Sequence, residues 1–500
     1  MMAMVKPLAS ASSARPEQWE EISWPKVQAL VFKLQMRIAK AIRNGHRSKA
    51  KALQRILTTS YYAKLLAVKR VTKNTGSKTP GVDGVVWKMP EQKLQAAHSL
   101  KRRGYKPLPL KRIYIPKQNS KKLRPLSIPT MYDRAQQALH LLGLEPIAEV
   151  LADHNAYGFR PRRAAGDAIE QCFNNLAKKT SAQWILEGDI KSCFNMISHK
   201  WLLDNIIMDK IMLKKWLNAG YMEKRKFYTT DTGISQGGII SPTILNLTLA
   251  GLEKTIKKVG SKKDKIHLVN YADDFIVSGT SKEVLENIIK PVIEKFLLER
   301  GLELSQEKTE ITHIERGFNF LGFNIRKYGK KLLIKPQKQR VINYLRTIRK
   351  QIKTSHNINT RELIEWLNPK ITGWANYYQH VVAKRTFSYV DHIIFWALWR
   401  WCRKKHRNKS VSWIIKRYYR HNGLRKWNFY AKVKDNIGKD QIVQLVATSD
   451  TVIKRHIKIR AKATIYDPKY KEYFEKRKYF KSNKAVAGKE ARYQRIVGYA

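Results

Sequence analysis

Cysteine is scarce in this 500-residue sequence, and the arrangement of the few cysteines excludes several classes of protein. The three cysteines, Cys172, Cys193 and Cys402, lie far apart and form no Cys-x-x-Cys pair. This spacing excludes a disulfide-stabilised scaffold and argues against a structural zinc site.

Long apolar segments are also missing. A membrane-spanning helix needs about 20 consecutive apolar residues, but the richest window, Tyr389–Trp401, is interrupted by Asp391, His392 and Arg400. The first 14 residues lack the continuous apolar segment of a secretory signal. The sequence therefore predicts neither a secreted protein nor a membrane partner.

Acidic residues are few relative to basic ones. The chain has 98 Lys and Arg against 39 Asp and Glu, a formal net charge of +59. Residues 151–310 are nearly balanced, with 24 basic and 20 acidic side chains, so almost all of the surplus lies in the two flanks. Such a surplus repels itself and favours a polyanionic partner. In the last hundred residues, basic side chains interleaved with Trp and Tyr indicate contacts with single-stranded or structured RNA.

Apolar periodicity places helices at both ends of the chain. It predicts two or three basic amphipathic helices from Trp19 to about Arg70 and a strand hairpin with basic tips between Tyr105 and Pro129. Ser241 and the proline after it predict the start of a helix that runs to about Lys258. From residue 336 to about 421 the pattern is helical throughout, basic and rich in Trp.

Acidic residues occupy the ends of predicted buried strands at two places. Asp189 ends the strand from Trp184, and Asp273 and Asp274 lie in the turn between two apolar strands. Taken singly, an Asp-Asp turn is more often ordinary turn chemistry, and an Asp that ends a strand is usually a helix cap or surface residue. Buried acids are costly unless they pair with cations, however, and a two-magnesium site for phosphoryl transfer needs carboxylates on rigid elements. Together, inside two basic flanks, these acids favour such a site.

Seven segments, which make up six motifs, resemble those of reverse transcriptases and follow the same order along the chain. Tyr271–Asp274 resembles the active-site hairpin of that family, and Glu187–Phe194 resembles its first carboxylate motif. The other segments resemble the fingers contacts to the triphosphate, the loop beneath the incoming nucleotide and the last two polymerase motifs: Tyr114–Lys117, Lys122–Pro125, Ser235–Pro242, Gly301–Lys308 and Phe320–Phe323.

Further segments narrow the resemblance to group II intron-encoded reverse transcriptases, or maturases. They resemble the N-terminal extension, the segment inserted between fingers and palm, and the helical thumb of those enzymes: Gly81–Gly84, Asp133–Pro161, Gly373–Tyr378 and Trp396–Ile415. The resemblance covers roughly residues 20 to 480.

The resemblance implies an α+β right-hand polymerase fold, with fingers and palm around a small antiparallel sheet and then an all-helical thumb or maturase domain. The expected domains are an N-terminal extension, fingers and palm, thumb, and a basic DNA-binding-like tail, at residues 1–85, 86–335, 336–425 and 426–500. Tyr466–Phe474 resembles the approach to the His-Asn-His endonuclease of many relatives. No cysteine follows Cys402, so no complete endonuclease is expected. Either this member of the family lacks that domain or the chain is truncated.

The resemblance also implies the catalytic residues. Asp189 and Asp273, together with the backbone carbonyl of Ile190, would hold two Mg²⁺ ions. Asp274, the third catalytic carboxylate, would support the site. Lys308 would give a proton to the departing pyrophosphate, and Ile190 and Lys308 are counted among the residues that contact the deoxynucleotide.

The remaining implied residues contact the nucleotide and the primer. Lys117 and Arg124 would clamp the triphosphate, since a guanidinium suits bidentate phosphate contact. The Phe194 ring would exclude a ribose 2′-hydroxyl, and Gln236 would reach the nucleotide. The primer grip would consist of Phe320, Leu321 and Gly322.

The function implied is that of an RNA-directed DNA polymerase that binds its group II intron RNA, assists its splicing and copies it into DNA by target-primed reverse transcription. The expected partners are intron RNA, an RNA template, a DNA primer or target DNA, and dNTPs; the pattern leaves the oligomeric state open. Two alternatives are an RNA-binding splicing maturase with little or no polymerase activity and a reverse transcriptase of another lineage. The bacterial cytoplasm is the expected location, with an organelle as the alternative.

Overall fold

The computed structural model describes residues 18–116, 123–423, 425–434 and 440–482. The α-helices of these residues are α1 (Trp24–Arg43), α2 (Arg47–Thr59), α3 (Tyr61–Thr72), α4 (Pro90–Ser99), α5 (Met131–Leu151), α6 (Ala165–Leu176), α7 (Cys193–Met196), α8 (His199–Asn205), α9 (Lys210–Leu217), α10 (Ser241–Leu249), α11 (Leu252–Val259), α12 (Lys290–Leu298), α13 (Lys338–Thr354), α14 (Thr360–Tyr378), α15 (Lys384–Lys405), α16 (Val411–Tyr418) and α17 (Lys471–Ser482).

The strands are short and form four small sheets. They are β1 (Leu110–Pro116), β2 (Leu123–Ile128), β3 (Trp184–Asp189), β4 (Tyr221–Glu223), β5 (Lys226–Tyr228), β6 (His267–Tyr271), β7 (Asp274–Gly279), β8 (Glu310–His313), β9 (Phe318–Phe320), β10 (Phe323–Tyr328), β11 (Lys331–Pro336), β12 (Tyr419–Arg420), β13 (Asn428–Lys434) and β14 (Asp440–Gln444). None of the helices in the described ranges is long and apolar enough to cross a membrane.

The basic helices predicted near the N-terminus are confirmed as α1, α2 and α3. A proline in the first turn of α1 has no backbone N–H to leave unpaired, which suits a helix start. Val27, Val31 and Ile38 recur at helical spacing and are buried on one face of α1, while its charged residues face outward. That face joins a hydrophobic core with α2, α3 and α5, which fixes the N-terminal helices to the fingers.

The predicted hairpin in the fingers is also confirmed. Strands β1 and β2 pair antiparallel from Lys111 opposite Ile128 to Pro116 opposite Leu123. Its tip, which includes the predicted triphosphate contact Lys117, lies outside the described residues. Two further strands extend the sheet in the order β2-β1-β4-β5.

The palm is built on the antiparallel sheet β6-β7-β3-β8. Leu186, Phe275 and Val277 of this sheet are buried in one core with residues of α10 and α12. The helix predicted from Ser241 to Lys258 is wrong as a single element, because α10 ends at Leu249 and α11 begins at Leu252. Asp153 stabilises the break, since its Oδ2 accepts hydrogen bonds from the backbone N–H groups of Gly251 and Glu253 at 3.1 and 3.2 Å.

The thumb consists of α13–α16, which confirms the helical pattern predicted after residue 336. The small sheet β12-β13-β14 that follows was not predicted, and it begins before the expected helical end at residue 421. Phe429 of β13 is buried in the same core as Ile364 of α14 and Leu398 of α15. Packing is therefore continuous across residue 425, and a separate function for the tail stays a prediction.

Candidate active site

Strand register brings the predicted carboxylates together at one edge of the palm sheet. Asp189, the last residue of β3, lies directly opposite Asp274, the first residue of β7. Tyr271 of β6 pairs with Asp274, so Asp273 sits in the two-residue turn between these strands. Strand register therefore brings the two acidic positions together, and their catalytic role stays a prediction.

The turn that carries Asp273 has a strained backbone, and hydrogen bonds from neighbouring segments hold the adjoining strand in place. Ala272 has φ of +61°, the left-handed region that a side chain disfavours by about 1–2 kcal/mol. The neighbouring segment holds β6 in place, because Tyr157 N–H donates to Asn270 O at 2.9 Å. Asn246 of α10 in turn donates to the Gly158 carbonyl at 2.9 Å. Strain of this kind persists where the surroundings fix it, which is common at functional sites.

Gly188 gives the Asp189 strand its close contact with β7. The Phe275 ring lies over the Gly188 backbone so closely that a Cβ atom at this position would be 2.2 Å from Phe275 Cζ. Phe275 is 1% exposed, so its ring has little room to move aside. The absence of a side chain at residue 188 therefore leaves room for the Phe275 ring across the two strands, just before Asp189.

Burial and mutual repulsion act on the acidic cluster. Burial, followed by the charges of Asp273 and Asp189, raises the pKa of Asp274 to about 6. Burial and the charge of Asp189 raise the pKa of Asp273. The positive charges of Arg124 and Lys308 oppose this increase but do not cancel it. Carboxyl groups that resist ionisation because they are buried and close together are stabilised in their charged form by a bound cation.

Lys308 is the closest cation to the cluster in the described residues. Its Nζ lies 2.6 Å from Asp189 Oδ2. Backbone contacts hold the loop that precedes Lys308 against the end of β3. Ser305 N–H donates to Asp189 O at 2.8 Å, and Lys191 N–H donates to Glu303 O at 2.9 Å. Ile190 also forms a β-bridge with Leu304. The structure thus places the Lys308 side chain against the Asp189 carboxylate.

Three of the residues predicted to contact the nucleotide lie on β2 of the fingers, on α7 and in the loop before α10. Arg124 is exposed on β2 and acts on Asp273 through its charge. Phe194 is half-buried on α7 against the palm core, and its carbonyl accepts from Ile234 N–H at 2.6 Å. The Gln236 carbonyl accepts from the Ser127 N–H of β2 at 2.7 Å, so the loop containing Gln236 bridges palm and fingers.

The predicted primer grip is a tight hairpin turn. Phe320 of β9 pairs with Phe323 of β10, and the two residues between them, Leu321 and Gly322, both have positive φ, +50° and +81°. This is the φ pattern of a type I′ turn, which matches the twist of an antiparallel hairpin.

Two tyrosines of the thumb hold this turn. Tyr377 Oη donates to Leu321 O at 2.7 Å, and Tyr378 Oη donates to Gly322 O at 3.1 Å. Sequence reasoning placed both tyrosines in the thumb but missed this contact, because residues 56 positions apart give no local pattern. Their adjacency at the end of α14 lets one helix end fix two consecutive carbonyls.

Comparison with known proteins decides the family. The descriptions of the matching family profiles are reverse transcriptase (RNA-dependent DNA polymerase), residues 115–325; N-terminal domain of reverse transcriptase, residues 19–100; and group II intron, maturase-specific domain, residues 342–419. Protein YkfC of Escherichia coli (strain K12) is 32% identical over 320 residues, 55% of this chain and 83% of that protein. The chain belongs to the group II intron-encoded reverse transcriptase family.

Other relatives of this family member match over part of their length. Group II intron-encoded protein LtrA of Lactococcus lactis subsp. cremoris is 32% identical over 328 residues, 52% of this chain and 54% of LtrA. The chain thus spans about half the length of LtrA. Maturase-like protein 1 of Euglena longa is 25% identical over 370 residues, 72% of this chain and 77% of that protein. The family implies nucleic-acid partners, in agreement with the basic flanks.

The carboxylates of this family member fit a divalent metal by the chemistry of their donors. Mg²⁺ prefers oxygen ligands and usually binds through one or two carboxylates plus substrate phosphates. Asp189 offers such oxygens at the end of β3, and Asp273 offers them in the turn between β6 and β7. No group of three or more His, Cys, Asp and Glu in the described ranges forms a metal-binding cluster from side chains alone.

Proposed function

We propose that this protein is an active RNA-directed DNA polymerase that binds a group II intron RNA, assists its splicing and copies it into DNA by target-primed reverse transcription. The observation that carries the proposal is the register of Asp189 opposite Asp274, with Asp273 in the adjoining turn. Three acids that repel one another at one sheet edge cost stability, and a polymerase fold without catalytic activity would gain nothing from them.

We assign the catalytic roles that the family resemblance implies. Asp189, Asp273 and the backbone carbonyl of Ile190 would hold two Mg²⁺ ions, which would activate the primer hydroxyl and stabilise the charge of the leaving pyrophosphate. Asp274 supports the cluster from the opposite strand end. Lys308, 2.6 Å from Asp189, is close enough to the cluster to protonate the leaving group when that group is bound.

Substrate selection is assigned to residues around the same edge. Arg124 and Lys117 contact the triphosphate, and Gln236 contacts the nucleotide from the loop that joins palm and fingers. The Phe194 ring, held against the palm core, selects a deoxyribose over a ribose. Phe320, Leu321 and Gly322 position the primer end, with the thumb tyrosines behind them.

The RNA-binding half of the proposal is supported by the thumb. A groove of about 760 Å³ lies between α13 and α15, and no Asp or Glu of the described residues lines it. Its basic lining residues are Arg346, Arg349, Lys350, Lys353, Arg400 and Lys404. Tyr389 lines the same groove and is half exposed. Cations and aromatic faces together suit phosphates and unpaired bases of RNA. The groove lies within the maturase-specific match at residues 342–419.

Primer extension on poly(rA)/oligo(dT) with dTTP and Mg²⁺ tests the polymerase. Synthesis is expected from the parent protein, and Asp273→Ala is expected to lower it by about 10³-fold, since a preorganised electrostatic group is removed. Asp204→Ala is the matched control, because Asp204 is an exposed acid on α8. No synthesis by a folded, RNA-binding parent would favour the splicing maturase without polymerase activity.

Intron specificity tests the lineage. A maturase accelerates the splicing of its own group II intron RNA, so splicing of the intron found beside the coding sequence is expected to need this protein at physiological Mg²⁺. Synthesis on generic templates without any effect on intron splicing would favour a reverse transcriptase of another lineage.

A further inference from the structure

Helix α10 connects two parts of the candidate active site. It begins at Ser241, directly after the loop that contains Gln236 and that is predicted to lie beneath the incoming nucleotide. About one and a half turns further along the helix, Asn246 Nδ2 donates a hydrogen bond to the Gly158 carbonyl at 2.9 Å. Gly158 in turn lies against the turn that carries Asp273. One helix therefore joins the nucleotide loop to the carboxylate edge.

The start of α10 and its apolar residues are fixed by other elements. In the loop before the helix, the Ile239 N–H donates to Gln137 Oε1 of α5 at 3.0 Å. The Gln137 side chain is buried, so this acceptor lies in a well-packed position. Leu245 and Leu247 of α10 belong to the buried core of the palm. The helix thus gives Asn246 a fixed base from which to hold another segment.

Gly158 lies so close to the turn before Asp273 that a side chain has no room there. A Cβ atom at Gly158 would lie 2.4 Å from Ala272 N and 2.9 Å from the carbonyl carbon of Tyr271. The φ of Gly158 is outside the left-handed region, so close approach rather than backbone conformation is what favours glycine. The backbone at residue 158 therefore packs directly on the first peptide of the turn.

The segment around Gly158 is anchored on both sides. Before it, the N–H and Nδ2 groups of Asn155 donate to Glu253 of α11 at 3.2 and 2.8 Å. After it, Arg160 pairs with Glu149 of α5 at 2.6 Å, and both of these side chains are buried. The hydrogen bond from α10 holds the carbonyl that lies between the two anchors. Three helices therefore set the position of the backbone beneath the turn.

The turn itself needs such support. Ala272 has φ of +61°, which a residue with a side chain disfavours. A strained conformation relaxes unless neighbouring groups hold it. Asp273 is the next residue, so relaxation of the turn would move its carboxylate relative to Asp189 on the other strand. Groups that orient metal ligands from behind affect metal affinity nearly as strongly as the ligands do.

We propose that Asn246 is a positioning residue for Asp273. Its amide holds Gly158 against the strained turn, and this contact keeps Asp273 at the distance from Asp189 that a shared divalent cation requires. The expected effect on catalysis rests on the proposed polymerase function, whereas the expected effect on metal binding does not. Asn246 itself is half-buried on α10 and donates to backbone, so its role is to orient the carboxylate through Gly158.

Metal binding by the full chain tests this role without any synthesis. Electron paramagnetic resonance of free Mn²⁺, in the absence of nucleotide, measures the affinity, and binding that Asp273→Ala removes is assigned to the palm. Asn246→Ala is expected to weaken this binding about tenfold. The matched control is Asn368→Ala, because Asn368 is also half-buried on a helix and its Nδ2 donates to the distant Gln444 carbonyl at 2.9 Å.

Three results of this measurement would overturn the proposal. They are an unchanged affinity in Asn246→Ala, an equal loss in Asn368→Ala, and a parent protein without Mn²⁺ binding that depends on Asp273. Gly158→Ala tests the same contact from the other side, since the added methyl group displaces the turn instead of releasing it. It is expected to weaken Mn²⁺ binding as well, and it keeps the test decisive if thermal unfolding shows that Asn246→Ala is not folded.

Primer extension separates positioning of the carboxylate from binding of the nucleotide. Asn246→Ala is expected to lower kcat about tenfold and to leave the KM for dTTP unchanged, because the loop that contains Gln236 keeps its contacts with Ser127 and Gln137. A raised KM with unchanged kcat would place the effect in the nucleotide loop and overturn the proposal. An inactive parent whose Mn²⁺ binding still falls in Asn246→Ala would reject the polymerase function and support the positioning role.

Discussion

Lys308 Nζ lies 2.6 Å from Asp189 Oδ2, so the acid at the end of β3 has an internal cation beside it. The same ammonium opposes the burial that raises the pKa of Asp273 and Asp274. Lys308 is 62% exposed and the loop before it is anchored to β3 through Ser305, so its side chain can leave Asp189 without the loop moving. A lysine in this position competes with a divalent metal for the same oxygen.

Removing this cation is expected to strengthen metal binding in the absence of nucleotide. Lys308→Met deletes a positive charge next to a ligand oxygen, so the affinity for Mn²⁺, used as a probe for Mg²⁺, should rise by about tenfold. Electron paramagnetic resonance of free Mn²⁺ measures this affinity directly. The unfolding free energy should change by less than about 1 kcal/mol, because the ion pair is largely exposed.

Lys295→Met is the control for a general change in net charge, since Lys295 is exposed on α12. Equal Mn²⁺ affinity in the parent and Lys308→Met would show that the ammonium does not compete for Asp189. Weaker binding in Lys308→Met would mean that Lys308 orients the carboxylate instead.

The strands of the palm could be predicted from sequence because each is a short apolar run that ends at an acidic residue or a turn. A short apolar run ending at Asp189, and two apolar runs around Asp273 and Asp274, give both the strands and the position of the turn. The resemblance to reverse transcriptases then predicted that the acids would meet. Their meeting depends on register, which the buried face of each strand fixes.

Contacts between distant segments were not readable. Lys308 and Asp189 are 119 residues apart, and no periodicity signals that they touch. The break at Gly251 depends on the Asp153 carboxylate, 98 residues earlier. Strands β12–β14 lie among basic residues without regular alternation, and they exist because β13 buries Phe429 against the thumb helices.

Gly188→Ala tests the spacing of the strands that carry the acids. The added methyl group would overlap the Phe275 ring, so overpacking should destabilise the protein by about 1–3 kcal/mol. In a Phe275→Leu background the cost should fall, because the flat ring no longer covers the Gly188 backbone. Denaturant unfolding of the four variants gives the coupling, and an equal cost in both backgrounds would contradict the contact.

Tyr378→Phe and Tyr377→Phe test the link between thumb and primer grip. Each variant deletes one hydroxyl donor to the turn at residues 321–322, a loss of about 1 kcal/mol per hydrogen bond. We expect shorter products per binding event with an unchanged KM for dTTP, since the primer end is held less firmly. Primer extension with a heparin trap measures this length. Tyr228→Phe, which removes the hydroxyl of an exposed tyrosine on β5, is the control, and equal product lengths in all variants would contradict the link.

Asp167 tests how the C-terminal segment is fixed to the palm. Burial alone would raise the pKa of Asp167, but the hydrogen bond and charge of His456 and the charge of Arg477 outweigh it and lower the pKa to about 2. Asp167→Asn leaves Arg477 buried without its counter-charge, so at pH 7 the unfolding free energy should fall by about 3–5 kcal/mol. Asp204→Asn, at an exposed acid, should cost little.

The pH dependence of this loss follows from the lowered pKa. A carboxyl group whose pKa is lower in the folded state contributes stability above its ordinary value of 3.8. That contribution is lost as pH falls through about 2, because both states are then protonated. The difference between the parent and Asp167→Asn should therefore shrink steadily as pH falls below about 4. Urea unfolding across this range measures it, and limited proteolysis shows whether residues 450–482 are released first. A difference that stays constant down to pH 2.5 would mean that the carboxylate charge does not hold the segment.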